Sequence, residues 1–152
     1  MNNLNQIIFV TKTEIGNFEI VFILPNTINS IRPTNKKETI AFSKVQKNIS
    51  DELKNFFSGK IRSFTFKCNP IGTIFQLKVW NIIKKINYGT TKTYKELAKA
   101  LDTSARAVGN ACSKNPCLFI IPCHRVILSN GNKGNYILGK KIKIELIKKE
   151  KF

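Results

Sequence analysis

Hydrophobic and polar positions follow two different periods along this chain. Residues Ile7 to Thr13 and Phe18 to Leu24 are apolar, β-branched-rich runs with Gly16-Asn17 between them, a pattern that predicts a β-hairpin. Pro25-Asn26 ends the second run. Ile28 to Pro33 predicts a short edge strand, and Asn35-Lys36-Lys37-Glu38 a charged loop. From Ser43 the period becomes helical: Val45, Ile49, Leu53, Phe56 and Phe57 recur at spacings of three and four. Gly59 supplies a stop. Ile61 to Phe66 alternates as a strand does. Strands around one helix predict a small α/β domain over residues 1–67, whose phenylalanines read as core.

Cys68-Asn69-Pro70-Ile71-Gly72 reads as the linker into a second domain, 68–152, where strand signals thin out. Thr73-x-x-Gln76 is a capping box: hydroxyl and amide each satisfy an early backbone donor. Phe75, Val79, Ile82, Ile83 and Ile86 then form an apolar face, joined by Trp80 and stopped by Asn87-Tyr88-Gly89. A second box, Thr93-x-x-Glu96, opens a short helix through Leu101. Asp102-Thr103-Ser104 caps another, running to about Lys114 and ended by Asn115-Pro116. Val126 to Leu128 and Gly131-Asn132-Lys133-Gly134 predict a wing-like hairpin. A last helix from about Leu138 carries Ile142, Leu146 and Ile147 on its apolar face.

Charge changes this picture. The chain has 26 Lys and Arg against 9 Asp and Glu, a formal net charge of +17 over 152 residues. Such an excess favours a polyanionic partner, nucleic acid before an anionic membrane. A skewed composition rich in Lys, Asn and Ile is the plainer source of part of it. Two short helices joined by a tight turn in this basic half predict a helix-turn-helix, with Ser104 to Lys114 as recognition helix. Its small residues Ser104, Ala105, Ala107 and Gly109 let a backbone approach a duplex, and Arg106 projects from among them. A packed structural helix with one solvated arginine fits the same residues.

Hydrophobic content of 42% excludes a disordered chain. The four cysteines, Cys68, Cys112, Cys117 and Cys123, form no Cys-x-x-Cys pair, and one histidine is too few for a usual mixed zinc site. No apolar run approaches membrane-spanning length, and the polar start Met1 to Gln6 does not read as a signal peptide. The expectation is a cytoplasmic protein with reduced thiols, no membrane association and no metal.

The candidate chemistry lies in Ile121-Pro122-Cys123-His124-Arg125-Val126. It sets a nucleophile beside the only histidine, behind the apolar run Leu118 to Ile121. A cysteine reacts as its thiolate and needs a base or a positive charge nearby, and His124 and Arg125 offer both. A buried cysteine serving only as a small hydrophobe fits an isolated Cys-His pair equally well. Glu150, among lysines at the end of the last helix, reads alone as a solvated charge.

Several motifs then converge in order: Phe75-Gln76-x-x-Val79-Trp80, Tyr88-Gly89, Tyr94-x-x-Leu97-Ala98, Arg106-Ala107-Val108-Gly109-x-Ala111, Asn115-Pro116, Ile121 to Val126, and Gly134-Asn135-Tyr136. Together they resemble the O6-alkylguanine-DNA alkyltransferase family, over roughly Ile71 to Glu150. The resemblance implies a ribonuclease H-like α/β domain followed by a mostly helical domain with a winged helix-turn-helix. It implies single-use transfer of an alkyl group from O6 of guanine in double-stranded DNA to Cys123, with no cofactor and no obligatory protein partner.

It also implies roles. His124 acts as base through a water, Glu150 orients His124, Asn115 braces the turn carrying Cys123, and Tyr94 donates to the departing guanine. Arg106 fills the space left by the flipped base. Tyr94, Ser104, Ala105, Ala107, Gly109, Ser129 and Arg125 meet DNA, and Val126, Tyr136, Ile137 and Cys112 border the guanine pocket. This chain departs from the family pattern in the short turn Asp102-Thr103-Ser104 and in Ile137-Leu138, where the family commonly has small residues. A damage-binding relative without transfer, a winged regulator with a structural cysteine, and a cysteine hydrolase remain as other classes. Presence of Cys123 argues against the first, and a defined operator would mark the second. Turnover would mark the third.

Overall fold

A computed structural model describes residues 6–40 and 43–151. Met1 to Asn5, the bulk of the polar start, lies outside the described residues. The chain divides into two compact units, one ending at Pro70 and one beginning at Ile71.

In the first unit, strands β1 (Gln6–Thr13), β2 (Gly16–Ile23) and β3 (Thr27–Thr34) form an antiparallel meander, and β4 (Lys67–Cys68) adds to β3 in parallel. The hairpin turn is Glu14-Ile15, because Thr13 already pairs with Gly16; Gly16-Asn17 begins β2 rather than bridging the strands. Alternation does the sorting. Phe18, Ile20 and Phe22 of β2 all point into the core, at every second position. Helix α1 (Lys44–Phe57) covers them with Ile49, Leu53, Phe56 and Phe57, and Phe18 stacks on Phe57 at 6.2 Å. Burying each such side chain is worth about 1.5–3 kcal/mol. A Ser43–Gln46 capping box starts α1, and Gly59 ends it at φ 74°.

Two expectations need correction here. Residues 61–66 form no strand: Thr65 donates from its backbone N–H to the Glu52 carboxylate at 2.9 Å, and Phe64 turns onto Phe56 at 4.9 Å. Tertiary contacts with α1 override the local alternation. The boundary expected at 67/68 moves to 70/71, because Cys68 pairs with Ile28 and so belongs to the sheet.

The second unit is mostly helical. Helix α2 (Ile74–Ile83) starts at the Thr73–Gln76 capping box and buries Val79, Trp80 and Ile83. Trp80 Nε1 donates to the carbonyl of Ala111 at 2.9 Å, tying α2 to α4. Phe75, expected on the apolar face, is 36% exposed near the helix start. Helices α3 (Tyr94–Ala100) and α4 (Ala105–Ser113) pack against each other across the turn 101–104, with Thr93 and Ser104 as their caps. Strand β5 (Lys92–Thr93) pairs in parallel with β6 (Val126–Ile127), and helix α5 (Lys140–Glu150) closes the unit.

The wing expected after β6 is reduced to a tight turn. Leu128 N–H donates to Asn132 O at 2.8 Å, but no antiparallel ladder forms among the described residues, since β6 pairs with β5. No helix among the described residues is long and apolar enough to cross a membrane.

Candidate active site

The stretch around Cys123 is a single 3-10 turn, Cys123–Arg125. Asn115 makes this geometry. Its Nδ2 donates to Ile121 O at 2.8 Å and to Cys123 Sγ at 3.1 Å, while its Oδ1 accepts from Cys117 N–H at 2.9 Å. One side chain therefore pins both ends of the loop 115–123 and touches the sulfur. Phe119 within that loop holds a φ of 71°, a conformation a non-glycine residue keeps only when its surroundings impose it.

Cys123 is 4% exposed and lies on the wall of a cavity of about 620 Å³. Arg106 and Gly109 of α4, Tyr94 of α3, and Asn135, Tyr136 and Ile137 of the segment before α5 line the rest. That volume lies within the range of small-molecule pockets and leaves ample room for a nucleobase. Burial pushes the Cys123 thiol up from its ordinary value, and the Asn115 hydrogen bond and the Lys143 charge pull it partly back. The thiol is thus protonated at neutral pH and needs a base to react.

His124 is fully buried, between the rings of Phe119 and Tyr136. Its Nε2 lies 2.6 Å from Glu150 Oε1. Burial pulls the imidazole below its ordinary value, although Glu150 pulls the other way, so the ring is neutral at pH 7. Burial alone would raise Glu150, but hydrogen bonds from His124 and Arg125 outweigh it and hold the carboxyl at about 2. An ionised carboxylate only accepts, so Nε2 carries the ring proton and Nδ1 carries the lone pair. That tautomer is the one a general base needs.

Arg125 completes the pair. Its Nε and Nη2 donate to the two oxygens of Glu150 at 2.8 and 3.0 Å, and its Nη1 donates to Ile86 O at 2.8 Å. It is 7% exposed and lies over the ring of Tyr88. Three of its five N–H donors are thus engaged inside the protein. Val126 is fully buried in β6 and is not among the residues that line the cavity.

A sequence profile described as "6-O-methylguanine DNA methyltransferase, DNA binding domain" matches residues 74–152, more than half of the chain. The chain belongs to the 6-O-methylguanine DNA methyltransferase family. Among curated relatives, the methylated-DNA–protein-cysteine methyltransferase of Methanosarcina acetivorans is 47% identical over 103 residues, 66% of this chain and 66% of the relative. That of Methanosarcina barkeri is 48% identical over 101 residues, 65% of this chain and 64% of the relative. The chain therefore spans just under two thirds of the length of these relatives. The crystal structure of Mycobacterium tuberculosis O6-methylguanine methyltransferase superposes with a TM-score of 0.81 at 28% identity, over 95% of this chain and 92% of that one. A structure of the mycobacterial OGT in complex with DNA gives the same TM-score at 29% identity, over 93% and 91%.

Within this member of the 6-O-methylguanine DNA methyltransferase family, the remaining expected residues divide by position. Ala105, Arg106, Gly109, Cys112, Tyr136 and Ile137 line the cavity with Tyr94. Ser104 is the N-cap of α4, and Ala107 lies in its first turn. Ser129 is exposed on the turn after β6, outside the cavity lining. Cys112 is pushed up to about 12 by burial and by Cys123, which leaves it an inert thiol at neutral pH. The hydroxyl of Tyr136 is buried with no hydrogen-bond partner among the described residues. Among those residues no cluster of three or more His, Cys, Asp or Glu could hold a metal.

Sequence reasoning missed one group altogether. Lys143 is completely buried, with Nζ 3.3 Å from Tyr94 Oη and 3.2 Å from Asn135 O. The signal was available: position 143 lies on the α5 face that buries Leu146, Ile147 and Glu150, at spacings of three, four and seven.

Proposed function

We propose that this chain repairs double-stranded DNA by transferring the alkyl group from O6 of guanine to Cys123, once per molecule. The observation that carries this reading is Cys123 on the wall of a cavity with room for a base, its Sγ 3.1 Å from Asn115 Nδ2 and next in sequence to the buried His124–Glu150 pair. The names of the curated relatives support it.

In this reading the chemistry runs as follows. A water relays the Cys123 proton to His124 Nδ1, and Glu150 stabilises the imidazolium through Nε2. Asn115 donates to the sulfur, which favours the thiolate. The sulfur attacks the alkyl carbon: the S–C bond forms, the C–O6 bond breaks, and the electron pair stays with the guanine. Tyr94, in the cavity wall, supplies a proton to that base. The product is a thioether, which cellular reductants do not reverse, so each molecule acts once without a cofactor.

Duplex DNA reaches the cavity through α3 and α4, read as a helix-turn-helix with the 128–132 turn as a short wing. The first unit is read as a ribonuclease H-like domain. Small residues Ala105, Ala107 and Gly109 allow close approach, Ser104 and Ser129 meet phosphates, and Arg106 takes the place of the extruded base. Extrusion costs a few kcal/mol, which the inserted side chain offsets. The +17 charge supplies the non-specific attraction. The protein acts in the cytoplasm and needs no partner besides DNA carrying O6-alkylguanine.

The test is the peptide mass after incubation with a duplex carrying one O6-methylguanine. The expected result is one added methylene on the Cys123 peptide, saturating at one per chain, and none in Cys123→Ser despite retained DNA binding. DNA binding without any mass gain in the native chain would point to a damage sensor or a regulator instead.

A further inference from the structure

The reaction just described gives Lys143 no role, yet this side chain has no exposed surface. A buried ammonium is costly unless hydrogen-bonded and paired. The partners found for it are Tyr94 Oη at 3.3 Å and Asn135 O at 3.2 Å, neither of them a carboxylate. Filling the space under α5 explains nothing here, since an apolar side chain would fill it at lower cost. Both partners belong to the cavity wall.

The donor count gives the geometry its meaning. An ammonium donates and never accepts. The Tyr94 oxygen must therefore accept from Lys143, so the phenol's own hydrogen points elsewhere, and Tyr94 is part of the cavity wall. We propose that Lys143 is a positioning residue for Tyr94, anchoring the phenol oxygen and the Asn135 carbonyl so that the phenolic proton is turned into the cavity. This rests on the function proposed above. When the guanine departs with its electron pair, the Tyr94 O–H bond breaks and an N–H bond forms on the base. The negative charge passes to the phenolate, which burial disfavours and which the ammonium 3.3 Å away counters.

Protonation of Lys143 makes the arrangement conditional. Burial lowers its value to about 8, and Lys133 lowers it further. The groups around it are Tyr94 from α3, Cys112 from α4, Cys123 and His124 from the 3-10 turn, and Lys133 from the segment before α5. Once deprotonated, the amine has a lone pair that accepts the Tyr94 hydrogen and turns it away from the cavity.

The experiment is single-turnover methyl transfer from duplex O6-methylguanine by the native chain, K143M, Y94F and the double variant, between about pH 6 and 10. K143M is expected to react about 10- to 100-fold more slowly than the native chain below pH 8, the worth of one hydrogen bond to a charged group, with DNA affinity unchanged. That gap should close above about pH 8. In the Y94F background K143M should cost less than about threefold, because the two act as one unit. K143R, which keeps the charge and the donors, should recover part of the rate. An equal loss in both backgrounds, or superimposable pH profiles, overturns the inference. Should K143M fail to fold, the native and Y94F profiles decide: an alkaline fall that persists in Y94F overturns it. A native chain that leaves Cys123 unmethylated overturns the function itself and this inference with it, and the peptide mass distinguishes that case.

Discussion

Glu150 Oε1 lies 2.6 Å from His124 Nε2, and the same carboxylate accepts two further hydrogen bonds from Arg125. His124 and Arg125 together keep the carboxyl ionised, the ionised carboxyl fixes the imidazole tautomer, and the tautomer leaves the lone pair on Nδ1. In the proposed reaction Arg125 thus acts on the sulfur at two removes, from a buried position.

Glu150→Gln should therefore cost both stability and rate. It leaves Arg125 buried opposite a neutral amide, a loss of about 3 kcal/mol that urea unfolding measures. The acid limb of stability should go with it. The folded value of about 2 lies below the ordinary 4.5, so the carboxylate's contribution is complete above 4.5 and is lost as pH falls from there to about 2. His124 has the opposite consequence for rate. Its lowered value keeps it a base at neutral pH, so transfer should fall only below the ordinary imidazole value of 6.5. A fall beginning near pH 7.5 would remove His124 as the base.

Arg106→Ala should slow repair within a duplex by about tenfold or more, because extrusion of a base costs a few kcal/mol. Reaction with free O6-benzylguanine should change little. Comparing the two rates isolates the part played in extrusion, and equal losses on both would show that Arg106 acts on the chemistry.

Ile137 is 54% exposed and lines the cavity, where its branched side chain narrows the space beside Tyr136. Ile137→Ser should raise the rate with O6-benzylguanine in DNA relative to O6-methylguanine. The expected change in that ratio is about tenfold, the usual worth of one or two methylene groups in a pocket. An unchanged ratio would mean that bulky adducts never meet this residue.

Gly89 has a φ of 78°, and a Cβ there would meet the backbone oxygen of Glu150 at 2.8 Å. Its N–H also donates to Glu150 Oε2 at 3.3 Å. Gly89→Ala should cost about 1–3 kcal/mol in thermal unfolding. It should also slow transfer, because the strain is relieved by moving the end of α5 that carries the carboxylate.

Local signals made much of this legible before any coordinates. The capping boxes at Thr73 and Thr93 are complete within four residues, so both helix starts stand where the sequence places them. The apolar run before Cys123 correctly indicates an interior thiol. What was not legible depends on partners far along the chain. Residues 61–66 alternate as a strand, yet Glu52 and Phe56 hold Thr65 and Phe64 in an irregular path. Arg125 and Lys143 belong to residue types that default to the surface, and only the folded chain brings Glu150 to one and Tyr94 to the other. Asn115 was legible as a brace, but its contact with Sγ was not, because that depends on a 3-10 turn that apolar patterning does not encode.

Helix α5 carries Lys143 and Glu150 on one buried face, seven residues apart. Two turns of helix return to nearly the same bearing, about 10 Å further along. Lys143 faces Tyr94 and Asn135 in the cavity wall, and Glu150 faces the imidazole of His124. The helix therefore works as a ruler, and its useful quantity is an interval. Deleting one residue between the two would swing one of them about 100° around the axis while barely altering composition, charge or helical propensity. Substitution at the exposed positions of this interval should be tolerated freely, whereas a change in its length should not.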